Sequence, residues 1–228
     1  VGTSAAEWLG KHADDSIPIV YAMVTGIEST GLAERPRTAG VRGEVSLRAQ
    51  LELVSEALPA ARTVGMLFRA SDPDSKRLRD QLSAALQEGW ALQAVDVGEH
   101  ASASDAIDAL LATRPDVVWT GIDRPLIRDR TISWLLLHAL RAKVPVFGYA
   151  PPCVERGALL GIGISPSRQA RQAAALVQEM LAVPADSPRP ARHEDPDFAL
   201  WINTDAARKL GIDLPPELVA RAAHVYSG

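Results

Sequence analysis

The stretch TVGMLFRASDPDSKRLRDQLSAALQEGWALQAVDV, residues 63–97, decides the fold. Thr63–Phe68 is a nearly continuous apolar run, as in strands buried on both faces of a parallel sheet. Asp74–Glu88 then sets Leu78, Leu82, Ala85 and Leu86 at helical spacing, and Gly89 follows where a helix-ending glycine belongs. Leu92–Val97 returns to strand-like sequence. Strand, helix, strand is the unit from which parallel sheets with right-handed crossovers are built.

The same alternation runs outward in both directions. Further strands are expected at Ile17–Val24, Val117–Thr120, Val144–Gly148 and Leu159–Ile164, with a short one at Ala199–Ile202. Ser46–Leu58 carries Leu47, Leu51, Val54 and Leu58 on one helical face, and Pro59 ends it. Ser104–Thr113 carries Ile107, Leu110 and Leu111, and helices are also expected over Arg128–Ala142 and Ser167–Ala182. Trp119, inside a buried strand, and Trp134, on an apolar helix face, are expected in the core. The fold class is therefore α/β, with parallel-sheet βαβ lobes.

Residues 43–164 are expected to form a complete second lobe. Residues 1–42 and 165–228 supply only two or three strands, so they are expected to form a partial first lobe with crossover segments. Either these pieces pack onto the complete lobe, or further strands preceded Val1. The start at Val1-Gly2-Thr3-Ser4, without methionine, suggests a longer gene product or a processed N-terminus. Pro184–Pro196, rich in proline and charge, reads as a loop or linker.

Composition excludes several classes. The chain is 47% hydrophobic and 23% charged, with a net charge of −4, so nucleic acid and anionic membrane are not expected partners. Cys153 is the single cysteine, which rules out an intrachain disulfide and a cysteine-based zinc site. His12, His100, His138, His193 and His224 are scattered and read as surface or structural residues, so no metal is expected. No apolar run has the roughly 18 residues of a membrane-spanning helix, and no signal peptide is visible. There is no GxSxG elbow and no GxxxxGK[ST] phosphate loop. Gly161-Ile162-Gly163 lacks the third glycine of a dinucleotide site. No cofactor is called for, and the chain does not read as an enzyme.

In open parallel sheets ligands bind beyond the carboxyl ends of the strands. That rule selects Thr25 after the first strand. It selects the loop from Arg69 to Ser75, where Ser71, Asp74 and Ser75 surround a helix start suited to an anionic group. The competing role there is helix capping, which Asp72 suits best. It also selects Asp123 and Arg124, which could instead form a surface pair. After Val144–Gly148 it selects Tyr149, which could stack on a ligand or pack against Pro151 and Pro152. Glu155-Arg156-Gly157 reads as a turn with an ion pair.

The order of segments resembles the substrate-binding proteins of bacterial ABC importers, in the type I periplasmic-binding fold. Within them it is similar to the subfamily that includes tryptophan/tyrosine and other small-molecule binders. The likeness is carried by Gly2-Thr3-Ser4-Ala5-Ala6, Ile17-Pro18-Ile19-Val20-Tyr21-Ala22-Met23-Val24-Thr25 and Leu58-Pro59-Ala60-Ala61-Arg62-Thr63-Val64-Gly65-Met66-Leu67. It continues through Val144-Pro145-Val146-Phe147-Gly148, Val154-Glu155-Arg156-Gly157-Ala158-Leu159 and Asp197-Phe198-Ala199-Leu200-Trp201-Ile202-Asn203. Pro215-Pro216-Glu217-Leu218 closes it. The resemblance implies a small polar metabolite, such as an amino acid, bound between two lobes and delivered to ABC permease subunits. It implies a periplasmic, or exported and lipid-anchored, location, and an N-terminal segment of several tens of residues lacking here. In such relatives a Thr-Asp-Asn-like stretch stands near Asp123, which suggests an anchor for a ligand amine. The alternatives are a ligand-sensing domain of a signalling protein and a degenerate relative that no longer binds. Three departures fall on binding loops: Gly26-Ile27 after Thr25, Ala39-Gly40-Val41-Arg42 at the first crossover, and Pro151-Pro152-Cys153 before Val154.

Overall fold

The computed structural model describes residues 2–121, 129–184, 187 and 189–227. The chain divides into two units. Unit 1 comprises residues 1–46 and 164–198, and unit 2 comprises residues 47–163 and 199–228.

Unit 2 is built on a sheet of seven strands. These are β3 (Thr63–Phe68), β4 (Ala91–Asp96), β5 (Val117–Trp119), β6 (Val146–Gly148), β7 (Leu160–Ile164), β9 (Phe198–Asn203) and β10 (His224–Tyr226). Their spatial order is β10-β9-β7-β6-β5-β3-β4. The pairings of β3 with β4 and β5, of β6 with β5 and β7, and of β10 with β9 are all parallel. The central strands are buried on both faces: Val64, Met66, Val117, Val118, Trp119, Val146, Phe147, Leu160 and Ile162 are all core residues. This is the burial that continuous apolar runs foretell.

Helices α2 (Leu47–Ala57), α3 (Pro73–Ala85), α4 (Ala103–Ala112), α5 (Asp129–Arg141), α6 (Pro151–Glu155), α8 (Thr204–Leu210) and α9 (Pro216–Arg221) complete the unit. Asp72 caps α3 through Asp74 N–H and Ser75 N–H, and Pro73 takes the first turn, where its missing N–H costs nothing. Ser102 caps α4, two residues before the expected start. α4 and α5 bury Ile107, Leu110, Leu111, Ile132, Leu135, Leu136 and Ala139 against the strands.

Unit 1 is a three-stranded parallel sheet of β1 (Ile19–Val24), β2 (Thr38–Arg42) and β8 (Arg192–Glu194), in the order β1-β2-β8. Helix α1 (Thr3–His12) packs Ala6 and Leu9 against Ile19, Tyr21, Val24, Ile27 and Leu32. Helix α7 (Pro166–Ala182) packs Leu176, Ala173 and Met180 against Ala39, Val41 and Val20. Alternate residues of β1 thus join different clusters, as the two-residue period of a strand requires.

Four expectations need correction. Residues 199–227 were expected with the first lobe, but β9 and β10 extend the sheet of unit 2, and Asn203 N–H donates to Leu159 O. Pro184–Pro196 is not all loop, because Arg192–Glu194 pairs with Ala39–Val41. Its polar, partly exposed side chains gave no apolar run to read. Trp134 is 42% exposed and lies against the His138 ring, because the buried stripe of α5 runs through Ile132, Leu135, Leu136 and Ala139. Gly89 does not end α3. That helix stops at Ala85, and Gly89 takes a left-handed turn (φ 79°) before Trp90.

Candidate functional site

In unit 2 the parallel strands bring the carboxyl ends of β3, β5 and β6 to one edge of the sheet. The loop after β3 is occupied by its own side chains. The Asp72 carboxylate takes the Asp74 and Ser75 N–H groups at 2.9 and 3.2 Å, so these donors are not open to a ligand anion. Ser75 is only 3% exposed, and its hydroxyl accepts from Arg69 N–H at 2.8 Å. Asp74 is 81% exposed and pairs with Arg77 at 2.7 Å, and Ser71 is exposed in the turn. Asp96 accepts from Ala70 N–H and Gly98 N–H, and these bonds hold its carboxyl below its ordinary range.

The loops after β5 and β6 are joined. Thr120 N–H and Thr120 Oγ1 both donate to Phe147 O, at 3.0 and 2.8 Å, and Tyr149 N–H donates to Thr120 Oγ1 at 3.1 Å. Tyr149 is half-buried, and it packs on the core cluster that holds Cys153 and Val154. Burial pushes the Cys153 thiol up, with its neighbour Tyr149 working against the rise. Behind Thr120, Trp119 Nε1–H donates to Gln50 Oε1 at 3.0 Å. The Trp119 ring lies so close over Gly121 that an added Cβ would stand 2.3 Å from it.

The edge of unit 1 carries a group of ion pairs. Thr25 ends β1, and Thr3 Oγ1 lies 3.1 Å from its hydroxyl while accepting from Thr25 N–H at 3.1 Å. Arg42, at the end of β2, pairs with Glu28 at 2.6 Å and with Asp195 at 3.7 Å. Partial burial alone would raise the Glu28 carboxyl, but the hydrogen bond and charge of Arg42 outweigh it and hold it below its ordinary range. Glu44 accepts from Gly26 N–H at 2.9 Å, and Gln169 on α7 donates to Arg42 O. Met23, just before this edge, has φ 57° at an irregularity of the β1–β2 register. Bulges of this kind re-aim the side chains that follow them.

Of the residues selected from sequence, Ser71, Asp74, Ser75 and Tyr149 thus belong to one edge of unit 2, and Thr25 belongs to unit 1. Asp123 and Arg124 lie outside the described residues. Sequence reasoning missed Thr120, Arg42 and Glu28. Thr120 had a signal, a lone hydroxyl closing an apolar strand just before a glycine. Arg42 stood only within the Ala39–Arg42 departure, and its pairing was unreadable because its partners Glu28 and Asp195 are remote in sequence. Among the described residues no cluster of three or more His, Cys, Asp or Glu side chains could hold a metal ion. No helix among them is long and apolar enough to cross a membrane.

A family described as ABC transporter substrate binding protein matches residues 1–226. A tyrosine-binding protein of Clostridioides difficile (strain R20291) is 25% identical over 176 residues, which is 75% of this chain and 50% of that protein. The chain thus spans about half the length of this curated relative. A conserved domain protein from Vibrio cholerae O1 biovar eltor superposes with a TM-score of 0.68 at 26% identity, over 98% of this chain and 76% of that one. A ligand-free, open substrate-binding protein with adhesive properties from Clostridium difficile gives a TM-score of 0.75 at 22% identity, over 100% and 77%. An ABC domain in complex with L-Trp from Streptococcus pneumonia gives 0.67 at 21% identity, over 98% and 76%.

Proposed function

The chain belongs to the family of ABC transporter substrate-binding proteins, and from that premise we propose that it binds an amino acid with an aromatic side chain and serves an ABC importer. The family match over residues 1–226 carries this reading. The type I periplasmic-binding fold supports it, because such parallel sheets offer their carboxyl edges to ligands.

The aromatic preference rests on Tyr149. It is the ring at the edge of unit 2 among the residues selected from sequence, and it is held at its backbone and packed on the cluster of Cys153 and Val154. A ring fixed in this way offers apolar contact area with little ordering cost on binding. That the curated relative binds tyrosine points the same way. Handing the ligand to permease subunits outside the cytoplasm completes the proposed role.

The test is a thermal-shift panel of L-tyrosine, L-tryptophan, L-phenylalanine, other amino acids and small organic acids. A ligand at 100 times its Kd adds about 2.7 kcal/mol of stability, which the melting point reports. The aromatic amino acids should raise it most, and Tyr149→Ala should remove that rise. A flat response to the whole panel would overturn the proposal.

A further inference from the structure

Thr120 occupies an unusual position in the ladder between β5 and β6. A parallel ladder alternates evenly: Thr120 N–H donates to Phe147 O, and the next rung should run from Tyr149 N–H to Thr120 O. In this protein that rung ends on Thr120 Oγ1 instead, at 3.1 Å. The same hydroxyl sends its own proton to Phe147 O at 2.8 Å. The side chain thus takes over the last rung, and the main chain of β5 leaves the sheet at Gly121 while β6 stays tied. Gly121 permits that departure, since any side chain there would meet the Trp119 ring that Gln50 anchors.

We propose that Thr120 is the positioning residue of the ligand platform: its hydroxyl sets the backbone of Tyr149, and so the place of the ring, for an aromatic ligand. This rests on the reading of the function above. Tyr149 is then held at its N–H by Thr120, and it packs on the core cluster of Cys153 and Val154. With its N–H freed, the ring would have to be ordered on binding, and affinity for aromatic ligands would fall while the fold persisted. Serine can replace both hydrogen bonds; valine, of the same shape, can make neither.

The experiment is calorimetric titration of L-tyrosine and L-tryptophan into the full chain and four variants: Thr120→Val, Thr120→Ser, Tyr149→Phe and Tyr149→Ala. Melting points are measured alongside. Thr120→Val should weaken binding about tenfold, the equivalent of one lost hydrogen bond of about 1.4 kcal/mol. Thr120→Ser should recover it to within about twofold, and Tyr149→Phe, which keeps the ring and its N–H, should stay closer to the unaltered chain than Thr120→Val. The serine variant guards against misfolding, because it keeps the bonds with a smaller side chain. Wild-type affinity in Thr120→Val, or a serine variant as weak as the valine one, overturns the proposal. If Tyr149→Ala loses binding while Thr120→Val keeps it, only the role of Thr120 falls. If Tyr149→Ala binds like the unaltered chain, or the unaltered chain binds neither amino acid, the functional reading fails and takes this proposal with it.

Discussion

Gly40 shows how one missing side chain can govern three strands. It stands level with Tyr21 on one side and His193 on the other. The Tyr21 ring lies across it, so close that a Cβ would stand 2.3 Å from the ring. The phenol reaches over β2 to His193 Nδ1 at 2.8 Å. His193 Nε2 meets Ala33 O at 2.7 Å; a carbonyl only accepts, so Nε2 carries a proton, and in the neutral ring Nδ1 receives that of Tyr21. Burial, opposed by Arg42 and aided by Glu28 and Asp195, pushes the Tyr21 phenol up to about 12, so it remains a donor throughout the neutral range. Gly40→Ala should destabilise the protein by about 1–3 kcal/mol, as other overpacked sites do. Denaturant titration of Gly40→Ala, Tyr21→Ala and the double variant would check this, since the double variant should cost less than the sum of the two. Asn203 makes a second such case. It caps α8 through Ala206 N–H at 2.8 Å and donates to the buried Val154 O at 2.7 Å. Asn203→Ala should cost about 1–2 kcal/mol through a lost cap and a lost hydrogen bond to Val154 O, which keeps Gly157 N–H, read as a lower denaturant midpoint at unchanged slope. Cys153 is 4% exposed and its thiol is raised by burial, so iodoacetamide should label it only after denaturation, as intact mass would show.

At the scale of elements, Asp116 fastens the starts of β3 and β5. Its carboxylate accepts from Arg62 N–H, Thr63 N–H and Thr63 Oγ1, each at 2.8 Å. Burial pushes this carboxyl up, but the three hydrogen bonds prevail and hold it below its ordinary value. The sign follows from that direction: the stabilisation is full above the unfolded-state value near 3.9 and is lost as pH falls through the lower folded one. The stability difference between the unaltered chain and Asp116→Ala should therefore be larger at pH 7 than at pH 2, as urea unfolding at both values would reveal. The elements that sequence reasoning found share one property, an apolar run or stripe long enough to have a period. Thr63–Phe68 was placed to the residue because both faces are buried. β8 and β10 escaped because each has three residues, with Arg192 and His224 exposed, and nothing in them alternates. β2 escaped because Gly40, which the Tyr21 ring demands, breaks its apolar run. The candidate site was legible only as a set of loops. Strand ends pick out Thr25, Ser75 and Tyr149, but no local rule says that Asp72 fills the start of α3 or that Thr120 holds Tyr149.

At the scale of the whole molecule, the chain passes between its units at residues 46/47, 163/164 and 198/199. Each unit is therefore made of two separated segments. Unit 2 gains β9 and β10 only from the second of its segments, and these complete the sheet beyond β7. A chain cut off after residue 198 should keep β3–β7 but bare the edge of β7, and it should unfold at lower denaturant than the full chain and associate more readily. Light scattering and urea titration of the two chains would decide this. The split also sets a timetable for synthesis. The ribosome delivers β1 and β2 early, yet their neighbour β8 and covering helix α7 lie beyond residue 164. Until then Val20, Ala39 and Val41 lack the Leu176, Ala173 and Met180 side chains that cover them. Residues 19–42 must wait for residues 166–194. During that interval they are a natural client for a holding chaperone.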